Sequence, residues 1–298
     1  MVNLNKVIST TRKLIDLPYN RFNLENCCSV LHSYDLNPIT IDTNKNLPIK
    51  LMSGDNFYSR IITSNYFPNK KKNIYIIGKG ILFDSGGLNI KPSEKLYAMT
   101  DDKAGAIIAL SVANYLKGNV AAYCPVTTNF IQTSKITPGD IIKIGDKEVK
   151  VIDTDAEGRL ILAEAIAKLN VSKNDIIITL ATLTGSVGYA IGDRATGVFS
   201  NSDKLLEEYF LASAKAGEYA WDLPMFDYMQ DYYKGKIIKN HIAEFKGGAS
   251  QGAIFIKQFI KYPENWIHLD IAYSAFGPDG SANGVPVKSL INFIRRLK

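Results

Sequence analysis

Apolar positions along the chain switch between a helical and an extended period. Residues 3–16 carry them at helical spacing (Leu4, Val7, Ile8, Leu14, Ile15) and stop before Pro18, predicting a first helix. Residues 20–72 alternate short strand-like and turn-like pieces without a strong period. From residue 73 the pattern sharpens. NIYIIGKGILF (73–83) predicts a buried strand, DSGGLNIKPSEKLYAMT (84–100) a loop, and DDKAGAIIALSVANYL (101–116) a helix with acids in its first turn. VAAYCPVTTNFI (120–131) predicts another strand, and DIIKIGDKEVKVID (140–153) a hairpin turning on Gly145 and Asp146. AEGRLILAEAIAKL (156–169) predicts a helix, DIIITLATLTG (175–185) a strand, and LEEYFLASAKAGEYAW (206–221) a helix. A helix over about 250–261, the strand WIHLDIAYSA (266–275) and a last helix, VKSLINFIRRLK (287–298), complete the pattern. Strands alternating with helices imply an α/β protein, a three-layer α/β/α fold with a mixed, largely parallel central sheet. No repeat or linker interrupts it, so a single domain over 1–298 is expected.

Composition narrows the function classes. The chain has 298 residues, 46% hydrophobic and 21% charged, an ordinary globular balance with ample core. No stretch approaches roughly 20 uninterrupted apolar residues, so no membrane span is expected. The amphipathic start is unlike a signal peptide, and three cysteines (Cys27, Cys28, Cys124) are too few for a disulfide framework. Both point to a reducing, cytoplasmic setting. The net charge of +6 concentrates in Lys70 to Lys72 and in the C-terminal RRLK. Nucleic-acid binding needs a basic stripe with interleaved aromatics or a known module, so nucleic acid is not an expected partner.

The segment DTDAEGRLILAE (153–164) crowds Asp153, Asp155 and Glu157 together. Its acids and Gly158 also fit the spacing of a calcium-binding helix–loop–helix. That reading fails, because a β-branched alternating run leads in and Arg159 to Ala163 look like a buried helix rather than an open loop. The acids stand instead where a strand ends and a helix begins, the usual ligand position of open α/β sheets. The three histidines (32, 241, 268) show no i, i+4 pair, so a metal site here must be built mainly from carboxylates. Candidates at strand ends are Asp84, Asp101, Asp102, Asp153, Asp155 and Glu157. Asp101 is also a natural helix N-cap, and the glycines of DSGG suit a tight turn. Lys79, between Gly78 and Gly80 in an apolar strand, is costly to bury unpaired and asks for carboxylates or a metal.

GKGILFDSGGLNIK, DTDAEGRLILAEA and ATLTG, in that order, resemble the leucyl aminopeptidase (cytosol aminopeptidase) family of two-metal exopeptidases. Asp153 replaces the asparagine that opens the family signature N-T-D-A-E-G-R-L; GDRATGVFSN and WIHLDIAYSA extend the likeness toward the C-terminus. The resemblance implies that Lys79, Asp84, Asp102 and Glu157 hold one metal, and Asp84, Asp155 and Glu157 the other. Lys91 would polarise the scissile carbonyl or stabilise the oxyanion, and Arg159 would hold a bicarbonate serving as general base. The ions would be zinc or manganese. Met99, Thr182, Leu183, Gly185, Ala272 and Ala275 match the substrate positions, implying a pocket for an uncharged first side chain such as Leu or Met. Peptide substrates and a homohexamer built as a dimer of trimers follow from the same likeness.

Several features depart from the family. The separate N-terminal domain usual in the family is expected to be absent, and residues 20–72 look shortened. Lys103 follows Asp102 where a hydrophobic or small residue is usual; it is expected either to disturb the metal or to point to solvent. Tyr273 stands where a glycine is usual. These departures motivate two alternatives: a catalytically inactive relative serving as a binding or assembly module, or a different two-metal hydrolase or transferase acting on amino-acid or Cys-Gly substrates.

Overall fold

In the computed structural model, which describes residues 3–41, 48–54, 59–64 and 72–298, twelve strands form two sheets. They are β1 (Ile39–Ile41), β2 (Arg60–Ser64), β3 (Ile74–Gly78), β4 (Gly80–Asp84), β5 (Val120–Asn129) and β6 (Ile141–Ile144). There follow β7 (Lys147–Lys150), β8 (Ile176–Ala181), β9 (Ala195–Ser200), β10 (Tyr219–Asp222), β11 (Ile237–Lys239) and β12 (Trp266–Asp270). The main sheet has nine strands in the order β1-β2-β5-β3-β8-β12-β9-β10, with β4 pairing on β5. Its centre, β5-β3-β8-β12, is parallel, while β2 and β9 run against their inner neighbours. The expected mixed, largely parallel sheet is present. A small sheet, β11-β7-β6, contains the expected hairpin, turning on Gly145 at φ 60°.

Eleven helices flank the sheets: α1 (Leu4–Ile15), α2 (Cys27–Ser33), α3 (Pro48–Met52), α4 (Ser93–Leu96), α5 (Ala104–Leu116) and α6 (Glu157–Ala167). The others are α7 (Ser186–Ile191), α8 (Asp203–Ala216), α9 (Asp227–Gln230), α10 (Gly248–Lys257) and α11 (Val287–Leu297). One apolar cluster joins residues of α1, α2, α5, α8 and α11 to one sheet face; the other joins α3, α6, α10 and the small sheet to the opposite face. These are the three layers. In α11, Val287, Leu290, Ile291, Ile294 and Leu297 make an apolar stripe at helical spacing, buried while Arg295 and Arg296 stay out. By contrast, α5 is buried on every side from Ala104 to Ala113. No helix among the described residues is long and apolar enough to cross a membrane. Lys70 and Lys71 of the basic run lie outside the described residues.

The structure corrects four expectations. The strand expected over 73–83 is two strands, broken at Lys79. The helix expected from 101 begins at Ala104, and Asp101 does not cap it; Lys103 holds the N-cap position. The helix expected to reach Trp221 ends at Ala216, because Gly217 takes the left-handed conformation (φ 71°) and lets its N–H close on Ala214 and Ser213 carbonyls. The chain then forms the edge strand β10. The strand expected to reach 275 ends at Asp270, leaving Tyr273 in a loop.

Candidate metal centre

The site forms where the parallel strands end, and glycines make room for its central lysine. Lys79 breaks the strand between β3 and β4; its N–H donates to the Leu180 carbonyl at 3.0 Å and its own carbonyl accepts from Ala106 at 2.8 Å. A Cβ at Gly78 would collide with the Gly105 carbonyl, and one at Gly80 would stand 2.7 Å from the Pro125 carbonyl. Gly158, in the first turn of α6, lies under the Lys79 side chain. The lysine therefore crosses from the sheet edge to the start of α6 through a slot that no larger residue would leave open.

Its Nζ meets three elements. It donates to Asp102 Oδ1 at 2.8 Å and to the Thr182 carbonyl at 3.0 Å, and lies 2.7 Å from Asp102 Oδ2 and 3.0 Å from Glu157 Oε1. Lys91 bridges the other pair, 2.8 Å from Asp84 Oδ2 and in contact with Asp155 Oδ1. Asp84 is also held by Gly86 N–H (2.9 Å) and Asn129 Nδ2 (2.8 Å). The loop carrying Lys91 is pinned by Thr154, whose Oγ1 accepts from Asn89 N–H at 2.8 Å and donates to the Gly86 carbonyl at 2.7 Å.

Oxygens of Asp84, Asp102 and Glu157 lie within 4.8 Å of one another, all on buried residues. Four carboxylates (Asp84, Asp102, Asp155, Glu157) face two ammonium groups, leaving two negative charges uncompensated. Burial, reinforced by Asp84 and Glu157 but opposed by Lys79, pushes the Asp102 carboxyl up to about 7. Burial and then the charge of Asp84 push Glu157 up to about 7, and burial raises Asp155 to about 6. For Lys79, burial pulls downward, but Asp102, Glu157 and Asp84 outweigh it and hold the ammonium above its ordinary value. Glu157 Oε2 is buried without a hydrogen-bond partner, and Asp102 Oδ2 has its lysine close by but outside hydrogen-bonding geometry. Clustered buried acids with excess negative charge and an orphaned oxygen fit a divalent cation.

Asp153 stands apart. Its Oδ1 accepts from the Asp155 N–H at 2.8 Å, so it shapes the turn that presents Asp155. Arg159 also leaves the acids: its Nη1 donates to the Asn240 carbonyl (2.8 Å) and Gln251 Oε1 (3.3 Å), and its buried Nε has no partner. Lys103 does not reach solvent, contrary to one of the two expectations. It is fully buried, donating to the Leu17 carbonyl at 2.9 Å and to the Thr100 carbonyl, and burial lowers its ammonium to about 8.

Of the expected substrate positions, Thr182 adjoins the cluster directly, its Oγ1 donating to Asp102 Oδ1 at 2.6 Å. Leu183 and Gly185 continue that loop, Met99 and Ala272 are half-buried, and Ala275 lies fully within the core. Two supporting residues escaped the sequence reading. Asp270, at the end of β12, accepts from Leu183 N–H (3.1 Å), Thr184 Oγ1 (2.7 Å) and Ala272 N–H (3.2 Å). Buried Asn240 accepts from Ile152 N–H (2.7 Å) and donates to the Asp153 carbonyl (2.6 Å), holding the acidic turn. Asp270 could have been noticed as an acid inside a predicted, otherwise apolar strand; Asn240 carries no sequence signal.

The sequence also matches a known family. The profile of the cytosol aminopeptidase family, catalytic domain, matches residues 43–291. The chain belongs to that family. Among its relatives, a probable cytosol aminopeptidase of Chloroherpeton thalassium is 38% identical over 243 residues, 76% of this chain and 47% of that protein. One of Chlamydia abortus is 37% identical over 245 residues, 77% of this chain and 49% of that protein. The chain thus spans about half the length of these relatives. Among solved structures, the bottromycin maturation enzyme BotP in complex with Mn has a TM-score of 0.84 at 25% identity, with 99% of this chain and 70% of that one covered. A further BotP structure has the same TM-score at 24% identity and shares the fold of this family member.

Proposed function

We propose that this protein is a two-metal aminopeptidase that releases apolar, Leu- or Met-like residues from the N-terminus of peptides. The observation that carries the reading is the buried convergence of Asp84, Asp102 and Glu157 with Lys79 and Lys91 at the carboxyl ends of parallel strands. Lys79, Asp84, Asp102, Asp155 and Glu157 would hold two divalent ions, zinc or manganese. The bound ions would supply Lewis acidity to the scissile carbonyl and acidify the attacking water. Family membership and the Mn-bound BotP neighbour support this, as does the excess negative charge of the cluster.

The chain's own groups supply the rest. Lys91, cationic and held above its ordinary pKa by Asp84, Glu157 and Asp155 against the pull of burial, is suited to stabilise a developing oxyanion. The unpartnered Arg159 Nε is suited to an anion such as bicarbonate, the proposed proton acceptor. Thr182 links substrate and cluster, with its carbonyl on Lys79 and its hydroxyl on Asp102. Met99, Leu183, Gly185 and Ala272 would shape the first side-chain pocket, with the fully buried Ala275 packed behind it. A cytoplasmic homohexamer, built as a dimer of trimers, completes the reading.

The test is hydrolysis of leucine p-nitroanilide after EDTA treatment and again after adding Mn or Zn. Activity that disappears with EDTA, returns with metal and is lost in Glu157→Gln supports the proposal. A folded protein that binds neither ion and stays inert overturns it.

A further inference from the structure

The sheet edge that carries the acids continues sideways past β12 and β9 to β10, the last strand. Asp270 pairs with Gly197, and Ala195 with Tyr219, so the start of β10 and the loop before β9 face the same side as the metal ligands. Between them lies a groove of about 470 Å³ lined by Ile191, Arg194, Ala195, Tyr219 and Trp221, with Asp193 and the backbone of Gly192 and Ala220. Tyr219 and Trp221 alternate along β10 and so share one face, 71% and 64% exposed, unusual for such large apolar surfaces. Arg194 makes no hydrogen bond or ion pair among the described residues. Because β10 ends the sheet, its outer backbone groups have no neighbouring strand. The Tyr273 ring lies against Gly188 of α7, with its hydroxyl toward Gly185.

We propose that this groove is a distal subsite for the downstream part of an extended peptide substrate. Its apolar residue packs on Tyr219 and Trp221, and its terminal carboxylate meets Arg194. The inference rests on the aminopeptidase reading above and adds a preferred substrate length. From β3, which ends at Gly78 next to Lys79, to β10 is four strand spacings of ~4.8 Å, or ~19 Å, about six residues of extended chain at ~3.3 Å each. The charge favours this occupant: a guanidinium without a carboxylate of its own, and a neighbouring Asp193 that can accept a peptide N–H.

The test compares Leu-Ala-Ala-Ala-Ala-Phe, its C-terminal amide and Leu-Ala-Ala. Trp221 is exposed and Trp266 fully buried, so ligand-induced emission changes in the metal-free protein report the groove without turnover. The hexapeptide is expected to bind at least about five-fold more tightly than the tripeptide. Arg194→Ala should remove most of that advantage for the acid but not for the amide. In the metal-loaded enzyme, Trp221→Ala and Arg194→Ala should weaken hexapeptide competition and leave the KM for leucine p-nitroanilide unchanged. Equal affinity for both lengths overturns the proposal, as does emission that varies with protein concentration, the mark of a second copy covering β10. Loss of all hydrolysis would sink the aminopeptidase reading, while the emission titration still decides the subsite.

Discussion

Gly158 and Lys79 share one space: a Cβ on Gly158 would stand 2.6 Å from Lys79 Cε and 2.9 Å from its Nζ. The atoms it meets are the far end of a flexible chain, so Gly158→Ala need not strain the backbone, and alanine is worth up to about 1 kcal/mol over glycine inside a helix. The displaced ammonium, however, would leave Asp102 and Glu157. We expect Gly158→Ala to keep its melting temperature within a few degrees and to lose roughly 100-fold or more in kcat/KM for leucine p-nitroanilide. A strongly destabilised but active variant would contradict this account of the slot.

Gly78 makes the opposite case. A side chain there meets the backbone of Gly105 and Ala106, which cannot swing aside as a lysine can. Gly78→Ala should therefore lower stability by about 2 kcal/mol or more, read by urea denaturation.

The acids make metal-free stability depend on pH. Asp102 and Glu157 titrate near 7 in the folded chain, well above ordinary carboxyls, mainly because burial disfavours their charge. A raised folded pKa contributes stability that is complete below the unfolded value and is lost as pH rises through the folded one. Metal-free protein should accordingly lose on the order of 2 kcal/mol between pH 4.5 and pH 8 from this coupled pair. Lys79 and Lys91 stay charged throughout that window, so they add no opposing slope there. Melting curves across the window check it; stability that rises with pH would mean that the lysines outweigh burial and hold these acids charged.

The division between what was and was not legible follows from the range of the interactions. Alternating β-branched runs and helical stripes revealed most central strands and flanking helices, because period and burial coincide there. The GKG and DTDAEGRL segments revealed the acids and Lys79, since glycines beside a buried charge are a local signal. β9 (Ala195–Ser200) was not assigned, being short and carrying Gly197, and β10 was absorbed into a helix although Gly217 marked that helix's end. The inward course of Lys103 depends on the Leu17 and Thr100 carbonyls, and no spacing rule records such a tertiary partner.

Glu164, last of the acids in the segment first singled out, lies two turns beyond Glu157 on α6 and ties that helix to α3. Its Oε2 accepts from Ile49 N–H at 2.9 Å, Oε1 is buried without a partner, and burial raises the carboxyl to about 7. Glutamine can keep the accepted bond without the buried charge. At pH 8, Glu164→Gln should be neutral or stabilising, whereas Glu164→Ala should cost about 1–3 kcal/mol by stranding the Ile49 donor. Denaturant midpoints of the two variants at pH 8 separate these outcomes.

Asp270 carries the last prediction. It makes no contact with Lys79 or the other acids, yet its carboxylate gathers Leu183, Thr184 and Ala272 at one point. That fixes the loop whose first residue, Thr182, touches both Lys79 and Asp102. Burial raises Asp270 to about 6 while these donors pull it down, so at neutral pH it holds the loop mainly as a carboxylate. Asp270→Ala would strand two backbone N–H groups and loosen Thr182. We expect a 10- to 100-fold loss in kcat/KM, roughly the size seen when an outer partner of a metal site is removed. Asp270→Asn should recover part of it, because its amide oxygen can still accept from Leu183. Metal content should stay near that of the unaltered protein in both variants. Unchanged kinetics in Asp270→Ala would show that the loop is held by packing rather than by this carboxylate.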